Sequence, residues 1–408
     1  MLKYLSDSDI ENKIPLEQRI CLMKTTDSVK EKAMMKVKEL RSKSDESSSS
    51  KVRHYLEGLL KIPFGIYRNE PVLLIMNNMI ELMNKLKNEN INNIFRKILP
   101  NKDSYTNIDI IKCSNKIKDI LDKEIYDKIK LHINSIKSKK DIIQKLNDFD
   151  INIEINNNNT IKELKNNLLD FVKKDIIYSS KVFNINIDIP DNLISLSNGI
   201  NDINNYLSNI RYTLDLSVYG HDEAKKQVER VIGQWINGSQ SGYCFGFEGP
   251  PGVGKTSLVK NGIAKCLKDV DGTSRPFGYI AIGGSSNGST LDGHNYTYVG
   301  SIWGKIVDIL MESKCMNPII FIDEIDKVSR TESGKEIIGI LTHLVDQTQN
   351  DTFQDKYFSG IELDLSKVLF IFSYNDVELM DHILLDRIHR VQFKFLSVEE
   401  KITIVNNF

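Results

Sequence analysis

The segment Phe245-Gly-Phe-Glu-Gly-Pro-Pro-Gly-Val-Gly-Lys-Thr256 decides the fold of this chain. Its apolar start is followed by the pattern G-x-x-x-x-G-K-[ST] and then by a helical segment, Ser257–Leu267. A loop of this pattern between a strand and a helix cradles phosphate, because its glycines and the helix N-terminus direct backbone N–H groups at the anion. We therefore predict an ATP site at Gly249, Pro250, Pro251, Gly252, Val253, Gly254, Lys255, Thr256 and Ser257.

Two side chains of this loop have a specific chemistry. The ammonium group of Lys255 suits the β- and γ-phosphate oxygens, and the hydroxyl of Thr256 suits Mg²⁺. The alternative is a chance glycine-rich turn, which the flanking strand and helix patterns disfavour.

Further short apolar runs alternate with helical stretches on the C-terminal side. The five runs are Tyr243–Phe247, Tyr279–Ile282, Ile319–Ile322, Val368–Phe372 and Val391–Phe395. Such alternation predicts an α/β fold with a five-stranded parallel sheet between two helical layers, as in the large subdomain of P-loop NTPases. Ligands bind at the carboxyl ends of the strands in this architecture.

A second site signal follows the third run, where Asp323 and Glu324 end an apolar strand. We expect Asp323 to hold Mg²⁺, directly or through water, and Glu324 to polarise the attacking water. A solvated acidic turn would explain the pair alone. Its position after the phosphate-binding loop, with one strand between, favours the catalytic interpretation.

Two more polar residues follow later strands. Asn375, just beyond VLFIF, is expected to orient the attacking water or contact the γ-phosphate, although an ordinary strand-end asparagine would look the same. Arg387 in Leu384–Arg387 is a candidate for stabilising the transition state in a neighbouring subunit. An intrachain salt bridge with Asp386 or another carboxylate is the alternative, and the residues alone leave the two open.

Composition divides the chain into three regions. Residues 1–68 form a helical N-terminal segment, 69–205 an Asn/Ile/Lys-rich helical insertion, and 206–408 the α/β module. Val29, Ala33 and Val37 share one helix face. The Ser-rich run 42–50 separates that helix from a second one, and the run INNNNT, 155–160, is expected to be a loop.

The bulk composition limits the partners and the compartment. Lys and Arg (54) balance Asp and Glu (55), so the chain has no excess of positive charge that would favour binding to nucleic acid or to an acidic membrane. The five cysteines contain no CxxC pair, which argues against a disulfide framework or a zinc site. No signal peptide and no stretch of about 20 apolar residues is present. We expect an intracellular, soluble protein of the cytoplasm or an organelle matrix, and the Asn/Ile/Lys bias is typical of an AT-rich genome such as that of a virus.

The order of these motifs resembles the ATPase module of the Lon family of ATP-dependent proteases, a branch of the AAA+ proteins. The resemblance covers about half of the chain, and a fainter likeness is present at Lys51–Phe64. Its segments, which set Lon apart from other AAA+ proteins, are Tyr219–Ile232, Arg275–Gly284, Leu291–Ser301, Asn317–Ser329, Gln349–Phe358, Asp364–Asn375 and Leu384–Val391.

The resemblance implies roles for individual residues. Tyr219 and Gly220 would lie against the adenine, Asn375 would be the first sensor, and Arg387 would be the finger that reaches across a ring, hexameric in the family. The pair Tyr298–Val299 would project into the central pore and grip unfolded polypeptide. Gly293 and Gly300 bracket this loop, and we expect Tyr296 and Tyr298 to be exposed in it; the alternative is that these tyrosines pack at a helix entry.

This sequence also departs from the family pattern. Trp303 stands where Lon usually has a proline, the interval between Asn375 and Arg387 lacks the usual prolines, and the insertion is longer. No helical lid and no Ser-Lys peptidase pattern occurs in these residues, so we expect a peptidase half beyond Phe408 or on a separate chain. The alternatives are a non-proteolytic remodelling ATPase and a nucleotide-regulated binding module with little turnover.

Overall fold

The computed structural model describes residues 14–42, 46–88, 105–149, 160–184, 191–236, 244–283 and 287–407. It divides into two compact units. The first consists of Met1–Pro71 together with Leu207–Phe408, and the second is Val72–Tyr206.

Sixteen helices and seven strands are numbered here in chain order, within the described residues. The helices are α1 Leu16–Leu22, α2 Asp27–Ser42, α3 Glu46–Lys61, α4 Pro71–Asn88, α5 Asn107–Ser135, α6 Lys139–Asp148, α7 Ile161–Lys174, α8 Ile176–Val182, α9 Asp191–Ser217, α10 Asp222–Ile236, α11 (Lys255–Ser257, a π-helical Leu258–Ile263, and Ala264–Cys266), α12 Ser289–Asp292, α13 Lys305–Ser313, α14 Glu332–Val345, α15 His382–Leu385 and α16 Val398–Asn407. The strands are β1 Cys244–Glu248, β2 Phe277–Ala281, β3 Ile319–Asp323, β4 Phe353–Gln354, β5 Glu362–Leu363, β6 Leu369–Tyr374 and β7 His389–Gln392. Short 3₁₀ turns lie at Ile325–Lys327, Asn350–Thr352 and Val377–Leu379.

The first unit is built on a five-stranded sheet with the order β2-β3-β6-β1-β7, and all its pairs are parallel. Every residue of β6 is buried, as expected for a central strand covered on both faces. The carboxyl ends of β1, β6 and β3 are adjacent in this order, so the loops that follow them meet at one edge. The predicted α/β fold is confirmed.

The N-terminal helices share a core with the sheet rather than forming a separate body. Val29 and Val37 of α2 and Leu56 of α3 belong to the same buried cluster as Ile320 and Phe370 of the sheet. The Ser-rich run was expected to separate the two N-terminal helices. Helix α3 instead starts at Glu46, inside that run, since serine is tolerated in the first turns of a helix.

The second unit consists of helices over its described residues. Ile129 of α5, Leu146 of α6 and Leu168 of α7 belong to one core cluster. Helices α5 and α7 begin with capping boxes, in which Thr106 and Thr160 accept a hydrogen bond from the N3 backbone N–H. Of the Asn-rich run, all but Thr160 lies outside the described residues.

Three further features of the described residues are a short hairpin, the exposure of the cysteines and the character of the helices. The antiparallel hairpin β4–β5 was not predicted, since strands of two residues leave no periodic signal. Cys21 is exposed, whereas the other four cysteines are buried. No helix in the described ranges has both the length and the apolar character needed to cross a membrane.

Candidate functional site

The loop after β1 owes its path to glycine. A Cβ on Gly249 would lie 2.5 Å from the carbonyl oxygen of Phe393, so only glycine fits beside that backbone. Gly254 has φ 95°, in the left-handed region, and α11 starts at the next residue. The helix thus begins at Lys255, two residues earlier than predicted, and its first N–H groups face the loop.

Lys255 is held in the centre of this loop. Its side chain is buried, and Nζ donates to the carbonyl oxygens of Gly249 (2.5 Å) and Tyr374 (3.2 Å) and to Oδ1 of Asn375 (2.8 Å). Burial lowers the pKa of the ammonium group, while Asp323 and Asp326 act in the opposite direction. The three acceptors keep the positive charge at the sheet edge and use all three donors of the ammonium group, so a phosphate oxygen would have to replace at least one of them.

A cavity of about 330 Å³ opens beside this lysine. It is lined by Pro251, Gly252, Gly254, Lys255, Thr256, Ser257, Asp323, Glu324, Ser373 and Asn375. The lining combines one cation and hydroxyl groups, which suit phosphate oxygens, with carboxylates, which suit a hard divalent cation. These residues therefore fit a nucleoside triphosphate with Mg²⁺.

The two carboxylates at the end of β3 are held differently. Asp323 Oδ2 accepts a hydrogen bond from the Tyr279 hydroxyl at 3.1 Å, and its Oδ1 accepts one from the Glu324 N–H at 2.9 Å. Glu324 has φ 60° and forms an ion pair with Lys327. A left-handed glutamate costs on the order of 1–3 kcal/mol, a strain typical of functional positions.

Asp326 connects the turn after β3 to the segment that follows β6, a role that the sequence reasoning missed. Its Oδ2 accepts hydrogen bonds from the N–H groups of Asn375 (3.1 Å) and Asp376 (3.3 Å). The contact fixes the backbone that carries the Asn375 side chain. The sequence did contain a signal for this residue, because Asp326 is a third carboxylate in the segment Asp-Glu-Ile-Asp. Ser373, which interrupts the apolar run of β6, was a similar signal.

Tyr219 and Gly220 do not line the cavity. They adjoin its loop instead, since His221 Nε2 lies 3.0 Å from the carbonyl oxygen of Val253. Tyr219 is partly exposed, which leaves its ring accessible beside the loop. Their contact with adenine stays a prediction.

Arg387 does not line this cavity either. Its Nη1 lies 2.8 Å from Oδ2 of Asp346 and 3.2 Å from the carbonyl oxygen of Thr342. It borders a separate cavity of about 780 Å³ beside α14 and α15. An intrachain ion pair therefore exists, with Asp346 rather than Asp386, and the side chain remains partly exposed.

The loop between Gly293 and Gly304 displays the predicted pair. Tyr298 is 68% exposed and Val299 is fully exposed. The expectation for Tyr296 was wrong: this ring is half-buried, packed edge-on against Tyr55 and Tyr357 with centroid distances of 5.2 and 5.4 Å.

Asp355, another residue not predicted, fixes the end of this loop. Its carboxylate accepts hydrogen bonds from the N–H groups of Gly304 and Tyr357, both at 2.8 Å. Burial raises its pKa to about 7, against the effect of these bonds. Burial thus favours the neutral carboxyl group, and the backbone donors favour its charged form.

Comparison with known proteins agrees with this geometry. Residues 245–396 match the family model of the AAA proteins, the ATPase family associated with various cellular activities. A Lon protease homolog of Acanthamoeba polyphaga mimivirus is 39% identical over 219 residues, and the Lon protease of Campylobacter concisus is 40% identical over 179 residues. The mitochondrial Lon protease homolog of Yarrowia lipolytica is 37% identical over 196 residues.

These matches include 53%, 44% and 48% of this chain, but only 21%, 21% and 16% of the respective relatives. The similarity therefore concerns one part of those proteins. Together with the five-stranded sheet and the lysine-centred loop, these matches support a Lon-family AAA+ module in this chain, with residues 245–396 as its AAA region.

Proposed function

We propose that this chain binds ATP with Mg²⁺, hydrolyses it, and uses the energy to pull on unfolded polypeptide as part of a Lon-like protease. The observation that carries the proposal is the convergence of Lys255, Asp323, Glu324 and Asn375 on one cavity. A cation, a magnesium ligand, a base and a neutral amide at one strand edge are the groups that phosphoryl transfer to water requires.

We assign each of these residues a separate role in hydrolysis. Lys255 holds the phosphate oxygens, and Thr256 with Asp323 would hold Mg²⁺, which when bound neutralises negative charge on the phosphates. Glu324 accepts the proton of the attacking water, for which it must leave Lys327. Asn375, whose backbone Asp326 fixes, orients the water or contacts the terminal phosphate.

Coupling to a substrate is assigned to Tyr298 and Val299. Their exposure supports this role, because an aromatic ring with an aliphatic neighbour can pack on any side chain of an unfolded chain. We propose a homo-oligomeric ring in which Arg387 reaches the nucleotide of the adjacent copy.

Replacing Tyr298 by alanine tests the coupling. We expect a chemically unfolded, alkylated protein to increase ATP turnover of the wild-type chain and to have little effect on Tyr298→Ala, measured as phosphate release. Tyr212, 65% exposed on α9, gives the matched control Tyr212→Ala, which should respond like wild type. Equal stimulation of both variants would exclude the assigned role.

Arg387→Ala tests action across subunits. We expect ATP turnover to fall by about 10³-fold or more, the range known for arginine fingers, with nucleotide binding retained. Mixing Arg387→Ala subunits with Glu324→Gln subunits should restore part of the activity, because the second type supplies the arginine to intact sites of the first.

A purely intrachain role predicts a different pattern. In that case Asp346→Asn, which removes the ion-pair partner, would reproduce the loss caused by Arg387→Ala, and mixing would restore nothing. This result would contradict the proposed ring contact.

A further inference from the structure

The exposed loop is attached to the N-terminal helices through two lysines. Lys51 of α3 donates from Nζ to the carbonyl oxygen of Tyr298 at 2.8 Å. The same ammonium group lies 4.8 Å from the ring centroid of Tyr296, and Lys36 of α2 lies 4.5 Å from it. One aromatic ring is thus in contact with two cations from different helices.

The other end of the loop rests on the same helix. Trp303 stacks on His54 of α3, with ring centroids 4.8 Å apart and planes at 12°. It also stacks on Phe358, at 5.9 Å. Gly58 allows this approach, since a Cβ there would lie 2.7 Å from the indole ring and force it to move.

In this loop a packed residue, Tyr296, lies only two positions before an exposed one, Tyr298. Tyr296 faces inward to the helices, whereas Tyr298 and Val299 point to solvent. The Lys51 bond acts on the backbone of Tyr298 itself, so it restrains the exposed ring without covering it. Gly300, which follows this pair, has φ 75° and open space around it, so the backbone after Val299 is not packed at this point.

We propose that Lys51 is a positioning residue for the substrate loop, assisted by Lys36 and Tyr296: it holds the loop in the conformation that displays Tyr298 and Val299. Preorganisation of a binding loop reduces the ordering cost when a partner binds. The N-terminal helices thereby become part of the substrate-engaging apparatus. This inference rests on the proposed role of Tyr298, but the tether itself can be tested without it.

The first test measures the loop directly. Chymotrypsin cleaves after exposed aromatic residues, and cleavage after Phe395, 83% exposed, provides an internal reference within the same chain. In Lys51→Ala we expect cleavage after Tyr298, relative to Phe395, to become about fivefold faster, as for loss of one charge-assisted hydrogen bond at a partly exposed position. Lys51→Arg should retain the wild-type ratio, because its guanidinium group can donate to the same oxygen.

Two controls separate the tether from general destabilisation. Lys61→Ala removes an exposed lysine from the end of α3 and should leave the ratio unchanged. Tyr296→Phe keeps the ring face that the two cations contact and should behave like wild type, whereas Tyr296→Leu should behave like Lys51→Ala. A wild-type cleavage ratio in Lys51→Ala would overturn the proposal.

The second test uses ATP turnover with the unfolded protein as activator. Lys51→Ala should raise the activator concentration that gives half-maximal stimulation by about fivefold, with the KM for ATP unchanged, since Lys51 does not line the nucleotide cavity. A change in the cleavage ratio without any activation of the wild-type chain would support the tether and refute the proposed coupling. An unchanged half-maximal concentration in an activated wild-type background would refute the positioning role.

Discussion

Lys255→Ala is expected to lose ATP binding by about 10- to 100-fold, the equivalent of the charge-assisted hydrogen bonds that the ammonium group forms with phosphate. Hydrolysis should fall further, by about 10²–10³-fold or more, because charge in the transition state loses a preorganised partner. Titration with a fluorescent ATP analogue, with and without Mg²⁺, and phosphate release measure the two effects.

The control for this variant is Lys260→Ala. Lys260 is an exposed lysine of the same helix, so its removal changes the net charge equally and should leave both measurements unchanged. Lys255→Ala also removes one donor each from the Gly249 carbonyl oxygen and from Oδ1 of Asn375, whereas the Tyr374 carbonyl oxygen keeps the Gly249 N–H, and thermal unfolding must show that the variant is folded. A folded Lys255→Ala chain with wild-type, Mg²⁺-sensitive binding would remove the basis of the nucleotide site.

Glu324→Gln is expected to separate binding from hydrolysis. The glutamine retains the shape of the side chain and the left-handed backbone, but it cannot accept a proton. Turnover should fall by about 10²–10⁴-fold, the usual contribution of a general base, and the dissociation constant for ATP should change little. Single-turnover phosphate release and equilibrium titration measure these two quantities.

Glu332→Gln is the matched control, since Glu332 is a 90% exposed carboxylate at the start of α14, paired with Lys335. It should turn over like wild type. Equal and negligible turnover in the wild-type chain, Glu324→Gln and Lys255→Ala would instead favour a nucleotide-regulated binding module.

The glycine-rich loop after β1 and the sheet were predictable because their signals are local. Glycine spacing, a buried strand and a following helix lie within one segment, and five apolar runs specify the sheet. Asp323 and Asn375 could be placed at the same edge for the same reason, since both follow strands whose carboxyl ends are adjacent.

Contacts between distant segments were not predictable. The ion pair of Arg387 with Asp346 and the cation contacts of Tyr296 depend on how helices pack, and periodicity does not encode that packing. Tyr296 and Tyr298 have the same residue type and lie two positions apart, yet only the folded chain distinguishes their environments. Asp326 had a visible signal in its spacing, but its hydrogen bonds to the N–H groups of Asn375 and Asp376 required the geometry of the turn.

The first unit is assembled from two stretches of sequence, and the chain leaves it after Pro71 and returns at Leu207. In polymer terms the intervening residues form one closed loop, whose entropic cost rises only logarithmically with length. Doubling such a loop costs about 0.6 kcal/mol. Residues between these two points can therefore be gained or lost in evolution at little thermodynamic expense to the ATPase module, provided that both anchoring ends are kept.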